Sequence, residues 1–138
     1  MTKSLTAAIV MDASILVAVV VGEATKPALI NAPRGAELVA PASVHWEMGN
    51  AFSAMLKRNR VTVAQAEAAL GGYRLIPVRF LDVDLVGAIR IASAVQIYAH
   101  DAYVLACSRG RGYPVMSSDR GLLAAAQSLA IDTVEVPQ

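Results

Sequence analysis

The chain has 138 residues, 56% of them hydrophobic, and a formal net charge of +1. That length suits a single domain, 1–138, and is short for two, while the near-neutral balance excludes a general basic field that would hold any nucleic acid. One cysteine, Cys107, excludes an intrachain disulfide and a cysteine-based zinc cluster, and reads as a small buried hydrophobe.

In chain order, "LTAAIVM" is predicted to be a short buried strand that runs into Asp12, and "SILVAVVVG" a helix closed by Gly22. The same apolar stretch mimics a signal peptide with Lys3 as its basic flank, but Asp12 interrupts it. The uninterrupted part falls short of the ~20 residues a membrane span needs, so a cytoplasmic protein with no membrane association is expected. "TKPALINAP" suggests a helix capped at Thr25 and stopped at Pro33. "AELVAP" is a second strand. "SVHWEMGNAFSAMLKRN" is a helix with Val44, Met48, Ala51, Phe52, Met55 and Leu56 at helical spacing.

"TVAQAEAALGGY" opens on a Thr62/Gln65 capping box, with Val63, Ala66, Leu70 and Tyr73 as its stripe. "RLIPVRFLD" is a third, edge strand, because Pro77 removes a ladder donor. "DLVGAIRIASAVQIYA" is a helix with Val86, Ile89, Ser93 and Ile97 on one face. "DAYVLACSRG" is a short helix, apolar nearly all round and therefore central. "YPVMSS", "DRGLLAAAQSLA" and "DTVEV" complete the chain as strand, helix and strand. This alternation implies an α/β fold with a parallel sheet and right-handed crossovers.

Most acidic residues fall where solvated acids belong: Glu23 and Glu37 in loops, Glu67 on a polar helix face, Asp82 and Asp84 ahead of a helix. Asp12, Glu47, Asp101 and Asp119 sit in apolar contexts instead. Taken singly, Asp12, Asp101 and Asp119 could each be a helix N-cap, and Glu47 a helix-surface acid. Taken together, they fall at the carboxyl ends of strands or at the starts of the helices there, where open parallel sheets bind ligands. Four carboxylates in one cleft repel one another and need a cation to stay ionised. An all-oxygen set suits Mg²⁺ or Mn²⁺.

"IVMDASIL", "EMGNAF", "HDAYVLAC" and "MSSDRGL", in that order and spacing, resemble the PIN-domain ribonucleases, and most nearly the toxin half of VapBC toxin–antitoxin pairs. The resemblance spans essentially the whole chain. It implies a PIN-like three-layer fold with a five-stranded parallel sheet in the order 3-2-1-4-5, an acidic Mg²⁺/Mn²⁺ site, a homodimer and a cognate antitoxin. Asp12, Glu47, Asp101 and Asp119 match the family's acidic positions. Ser14 matches its small hydroxyl residue, and Ser117 stands where Thr is usual. Asn50 lies one turn after Glu47, where it would support the site, and no family expectation attaches to His100.

The reaction implied is metal-assisted hydrolysis of RNA phosphodiester bonds by the toxin of a type II system. Asp12 and Asp119 are the expected direct ligands, with Glu47 and Asp101 acting through water or orienting the nucleophile. Arg120 is placed to reach a phosphate. Lys57, Arg58 and Arg60 read as surface charge, and Arg109 and Arg111 as lying at the far end of the sheet from the site. Two other classes stay open. One is a PIN-like module that binds RNA or antitoxin without cleaving. The other is a phosphate-handling enzyme with Asp12 as nucleophile, against which no Gly-rich loop follows the first strand. The high apolar content suggests a dimer interface drawn from the helices bearing Met48, Phe52, Met55, Val86 and Ile89.

Overall fold

Residues 8–22 and 35–134 are described by a computed structural model of the chain. The helix expected from Thr25 to Pro33 lies outside the described residues. Five strands form one all-parallel sheet: β1 (Ala8–Met11), β2 (Glu37–Pro41), β3 (Val78–Leu81), β4 (Val115–Met116) and β5 (Thr133–Val134), in the order β3-β2-β1-β4-β5. The described helices are α1 (Ala13–Val21), α2 (Val44–Lys57), α3 (Val63–Leu75), α4 (Leu85–Val95), α5 (Ala99–Ser108) and α6 (Arg120–Ser128). The fold is the α/β arrangement that the sequence and the family resemblance implied.

Side chains alternate across a strand, and here the alternation sorts two cores. Val10, Val39 and Val115 point to the side covered by α4, α5 and α6. Ile9, Met11, Ala40 and Met116 point to the side covered by α1, α2 and α3. Sequestering a valine of the first set contributes about 1.5–3 kcal/mol. With both faces covered, the central strands are apolar throughout, as in β1, whose four residues are all buried. Gly22 ends α1 in the left-handed conformation, φ 74°, and donates to the Ala18 carbonyl.

The capping box of α3 is present: Gln65 N donates to Thr62 Oγ1, and Thr62 N to Gln65 Oε1. Cys107 is buried, and desolvation pushes its thiol up to about 11, so it behaves as packing. No described helix is long and apolar enough to cross a membrane.

Several details differ from the sequence reading. Glu37 opens β2 rather than a loop, and both its carboxylate oxygens accept from Arg79 on β3. Val63 is exposed, leaving Ala66 and Tyr73 as the buried residues of α3. In α4 the buried residues are Ala88 and Ile91, whereas Val86 and Ile89 are 60% and 57% exposed. Both stripes of α4 are apolar, so periodicity could not choose between them. The small Ala88 and Ala92 let α4 lie close against α5 in the core. Met48 and Phe52 are buried in the α1–α3 layer and Met55 is half-buried against it, which leaves Val86 and Ile89 as the exposed candidates.

Candidate active site

The chain winds outward from β1 to β2 and β3, then returns to place β4 on the other side of β1. Open parallel sheets bind ligands at such a reversal, beyond the carboxyl ends of the two strands, here β1 and β4. The pairing of Met11 with Met116 sets the residues that follow each strand side by side. Asp12 and Ser117 are those residues.

Asp12 is 6% exposed and Ser117 is buried. Ser117 Oγ donates to Asp12 Oδ2 at 2.8 Å, and Ser14 Oγ donates to Asp12 Oδ1 at 2.6 Å. The Ile15 amide donates to the same Oδ1 at 3.4 Å, making Asp12 the N-cap of α1. Backbone amides complete the lattice: Ser118 N donates to Ser14 Oγ at 3.1 Å, and Asp119 N to Ser117 Oγ at 2.9 Å. Asp119 caps α6 by accepting from Leu122 N at 3.1 Å. Thus Asp12 and Asp119 are N-caps and also near neighbours, and the two readings of them do not compete. Burial pushes the Asp12 carboxyl above its ordinary value. The bonds from Ser14, Ser117 and Ile15 oppose that rise, and the charge of Asp119 adds to it.

Glu47 occupies the first turn of α2 and Asp101 the first turn of α5. Asp101 is not an N-cap, since Tyr98 holds that position. Desolvation pushes Glu47 up to about 7; His100 opposes this, and the charges of Asp12 and Asp101 reinforce it. Asp101 is also raised, by burial first, with His100 opposing and Asp119 adding. Glu47 Oε2 is buried without a hydrogen-bond partner. The four carboxylates therefore share one electrostatic neighbourhood, although they come from four separate helix starts.

Among the described residues, no three His, Cys, Asp or Glu side chains are already drawn together as a complete ion-binding group. The donor chemistry fits a hard divalent cation nonetheless. The candidate ligands are all carboxylate oxygens, they repel one another, and one buried oxygen has no partner.

The supporting residues divide. Ser14 and Ser117 meet Asp12 directly. Asn50 is exposed and lines a groove with His45, Trp46, Tyr73 and Phe80. Arg120 begins α6 beside Asp119 and is exposed, with no ion pair among the described residues. Arg109 and Arg111 follow the far end of α5, whose last residue, Ser108, lies about 10 Å along the helix from Asp101. Sequence reasoning passed over His100, whose Nε2 lies 3.5 Å from Asp101 Oδ1. Its place directly before an acid, in "YAHD", was the available signal.

No protein-family model matches the chain, and no curated protein sequence does. Its structure is similar to the crystal structure of PAE2754 from Pyrobaculum aerophilum, with a TM-score of 0.68 and 23% sequence identity over 87% of this chain and 86% of that one. At this identity, what the two chains share is the fold.

Proposed function

We propose that this chain is a Mg²⁺- or Mn²⁺-dependent endoribonuclease of the PIN type, acting in the cytoplasm as the toxin of a type II toxin–antitoxin pair. One observation carries the reading: four carboxylates from four helix starts converge at the reversal point of a parallel sheet, with the most buried of them, Asp12, clamped between two serine hydroxyls. Asp12 and Asp119 would hold the cation, and Glu47 and Asp101 would complete the site. When bound there, the metal supplies Lewis acidity toward the phosphodiester and acidifies the attacking water.

The chain's own residues do the rest. Ser14 and Ser117 fix the two oxygens of Asp12 so that neither can rotate away. Glu47, near 7 in the free protein, holds or releases a proton at neutral pH and is suited to orient the nucleophile through Oε2. His100 steadies the charges of Asp101 and Glu47.

The test is RNA cleavage by purified protein. Mn²⁺-dependent cleavage that EDTA stops and Asp12→Asn abolishes supports the reading. Undiminished cleavage by folded Asp12→Asn protein removes the ligand assignment.

The alternative is a PIN-like module that binds RNA or antitoxin without cleaving. RNA binding with no turnover at saturating Mn²⁺ selects it. The proposal includes a homodimer and an inhibiting antitoxin. A second copy would cover the exposed Leu85, Val86 and Ile89 of α4, and a monomer in light scattering at micromolar concentration contradicts that. The antitoxin would place an Arg or Lys among the carboxylates.

A further inference from the structure

Outside the carboxylate cleft, a charged hollow lies between α4 and the far end of α5. Its volume is about 790 Å³, and none of its lining residues belongs to the four-acid site. Gly87, Arg90, Ile91 and Ala94 line it from α4, at the three- and four-residue spacing that makes one helix face. That face is not the exposed apolar one, which carries Leu85, Val86 and Ile89. Arg109 and Arg111 contribute from the turn that follows α5, where Gly110 between them is left-handed at φ 87°. Asp82 and Asp84 contribute from the link between β3 and α4.

Three guanidiniums and two carboxylates thus border one space, yet among the described residues none of the five forms an ion pair. Two of them are held where they stand. Arg111 Nη1 donates to the Cys107 carbonyl at 3.3 Å. Asp84 occupies the N-cap position of α4 without capping it. Its carboxylate lies over Gly87 instead, so close that a Cβ there would stand 2.9 Å from Oδ2. Val83, Ile91 and Ala106 add apolar lining.

Guanidinium forks bind phosphate oxygens in pairs, whereas carboxylates only accept hydrogen bonds and need donors. A plain anion satisfies the arginines and is repelled by the aspartates. A ligand that meets both carries phosphate at one end and adjacent N–H donors at the other, with a flat body to lie on the apolar lining. The guanine edge presents two adjacent donors, N1–H and the N2 amino group, matched to the two oxygens of one carboxylate. The adenine edge presents one donor beside an acceptor. The volume falls within the roughly 300–1,000 Å³ of small-molecule sites. With three positive charges against two negative, the hollow has little with which to hold a long strand by its phosphates.

We infer that this hollow binds a free guanine nucleotide, its phosphates on Arg90, Arg109 and Arg111 and its base edge on Asp84, with Asp82 beside it. The site is separate from the carboxylate cleft and does not depend on the ribonuclease reading.

The experiment is calorimetric titration of the full chain with GDP, ADP and pyrophosphate. EDTA is present, so that no metal bridges nucleotide phosphates to the carboxylate cleft. GDP is expected to bind once per chain and about tenfold tighter than ADP, the cost of one lost hydrogen bond to a charged group, with pyrophosphate weaker than either. Arg109→Ala should weaken both nucleotides about tenfold for the same reason. Gly87→Ala displaces the Asp84 carboxylate and leaves every charge in place. It should bring GDP down to the level of ADP and leave ADP unchanged, which also shows that the variant is folded. No heat at millimolar GDP overturns the inference. Equal affinity for GDP, ADP and pyrophosphate overturns it too, and leaves only an anion patch. So does GDP affinity that falls as protein concentration rises, which assigns the charges to a second copy of the chain. Tighter binding of an oligoribonucleotide ending in the same guanosine phosphate overturns the free nucleotide in favour of RNA.

Discussion

The two halves of the carboxylate cleft are built differently. Around Asp12 the chain supplies a finished hydrogen-bond lattice: two hydroxyls on the two carboxylate oxygens, and backbone amides on those hydroxyls in turn. Around Glu47 it supplies burial without partners, leaving Oε2 orphaned and the carboxyl near 7. The difference follows from topology. Asp12 and Ser117 leave adjacent strands whose register is set by backbone pairing, so their contact is built into the sheet. Glu47 and Asp101 sit on helix turns that only side-chain packing brings near. One half is preorganised; the other is buried without partners, and under the proposed function a cation would complete it.

Breaking the finished half should have the largest effect. Loss of a residue that merely orients a metal ligand costs about 10–100-fold in metal affinity or activity. Asp12→Asn, which removes the ligand charge itself, should therefore lower metal-dependent cleavage by more than about a hundredfold. The metal-free protein should hold or gain thermal stability, because a buried charge that Asp119 repels is gone. Circular dichroism and a gel-based RNA assay on the same preparation measure both.

Ser117→Ala should fall in the intermediate range, about tenfold in activity. It strips the hydroxyl from Asp12 Oδ2 and takes the acceptor from the Asp119 amide, while the ligand carboxylate stays. Ser117→Thr should recover most of the loss. If alanine and threonine behave alike, the lattice around Asp12 does not position it.

This contrast also marks what was legible in the sequence. Asp12 stood out as an isolated charge at the end of an apolar run and Asp119 as an acid closing the short run before α6, and the alternation of strands and helices showed which end of the sheet they share. Ser14 and Ser117 were readable only through the family resemblance. The exposed face of α4 was not, because Leu85, Val86 and Ile89 are as apolar as the buried stripe, and only the close fit of alanines against α5 decides between them. Nor was the groove that Asn50 lines, because helical spacing puts Asn50 one turn from Glu47 but does not say which residues of α3 and β3 meet that face. The stacked Tyr98–His100 pair depends on the ring orientations of two residues flanking a helix start, which spacing alone does not specify.

The unfinished half is probed by pH, with a smaller effect. The ordinary value for Glu47 is 4.5, and in the folded chain it stands at about 7. The native state therefore binds more protons than the unfolded one across that interval, and stability falls as pH rises from about 4.5 through about 7. Asp12 and Asp101, both raised, act with the same sign. Glu37, held low by Arg79, acts oppositely and below its ordinary 4.5, so a window from about pH 5 to 7.5 leaves its contribution out.

The most direct measurement is the melting temperature across that window, with and without millimolar Mn²⁺, for the native chain and Glu47→Gln. The account predicts that the metal-free chain melts higher as pH falls, that Mn²⁺ raises the melting temperature most at pH 7.5 and flattens the slope, and that Glu47→Gln is flatter from the outset. A melting curve indifferent to Mn²⁺, with the same pH slope in both proteins, would contradict a cleft whose carboxylates are reconciled by a cation.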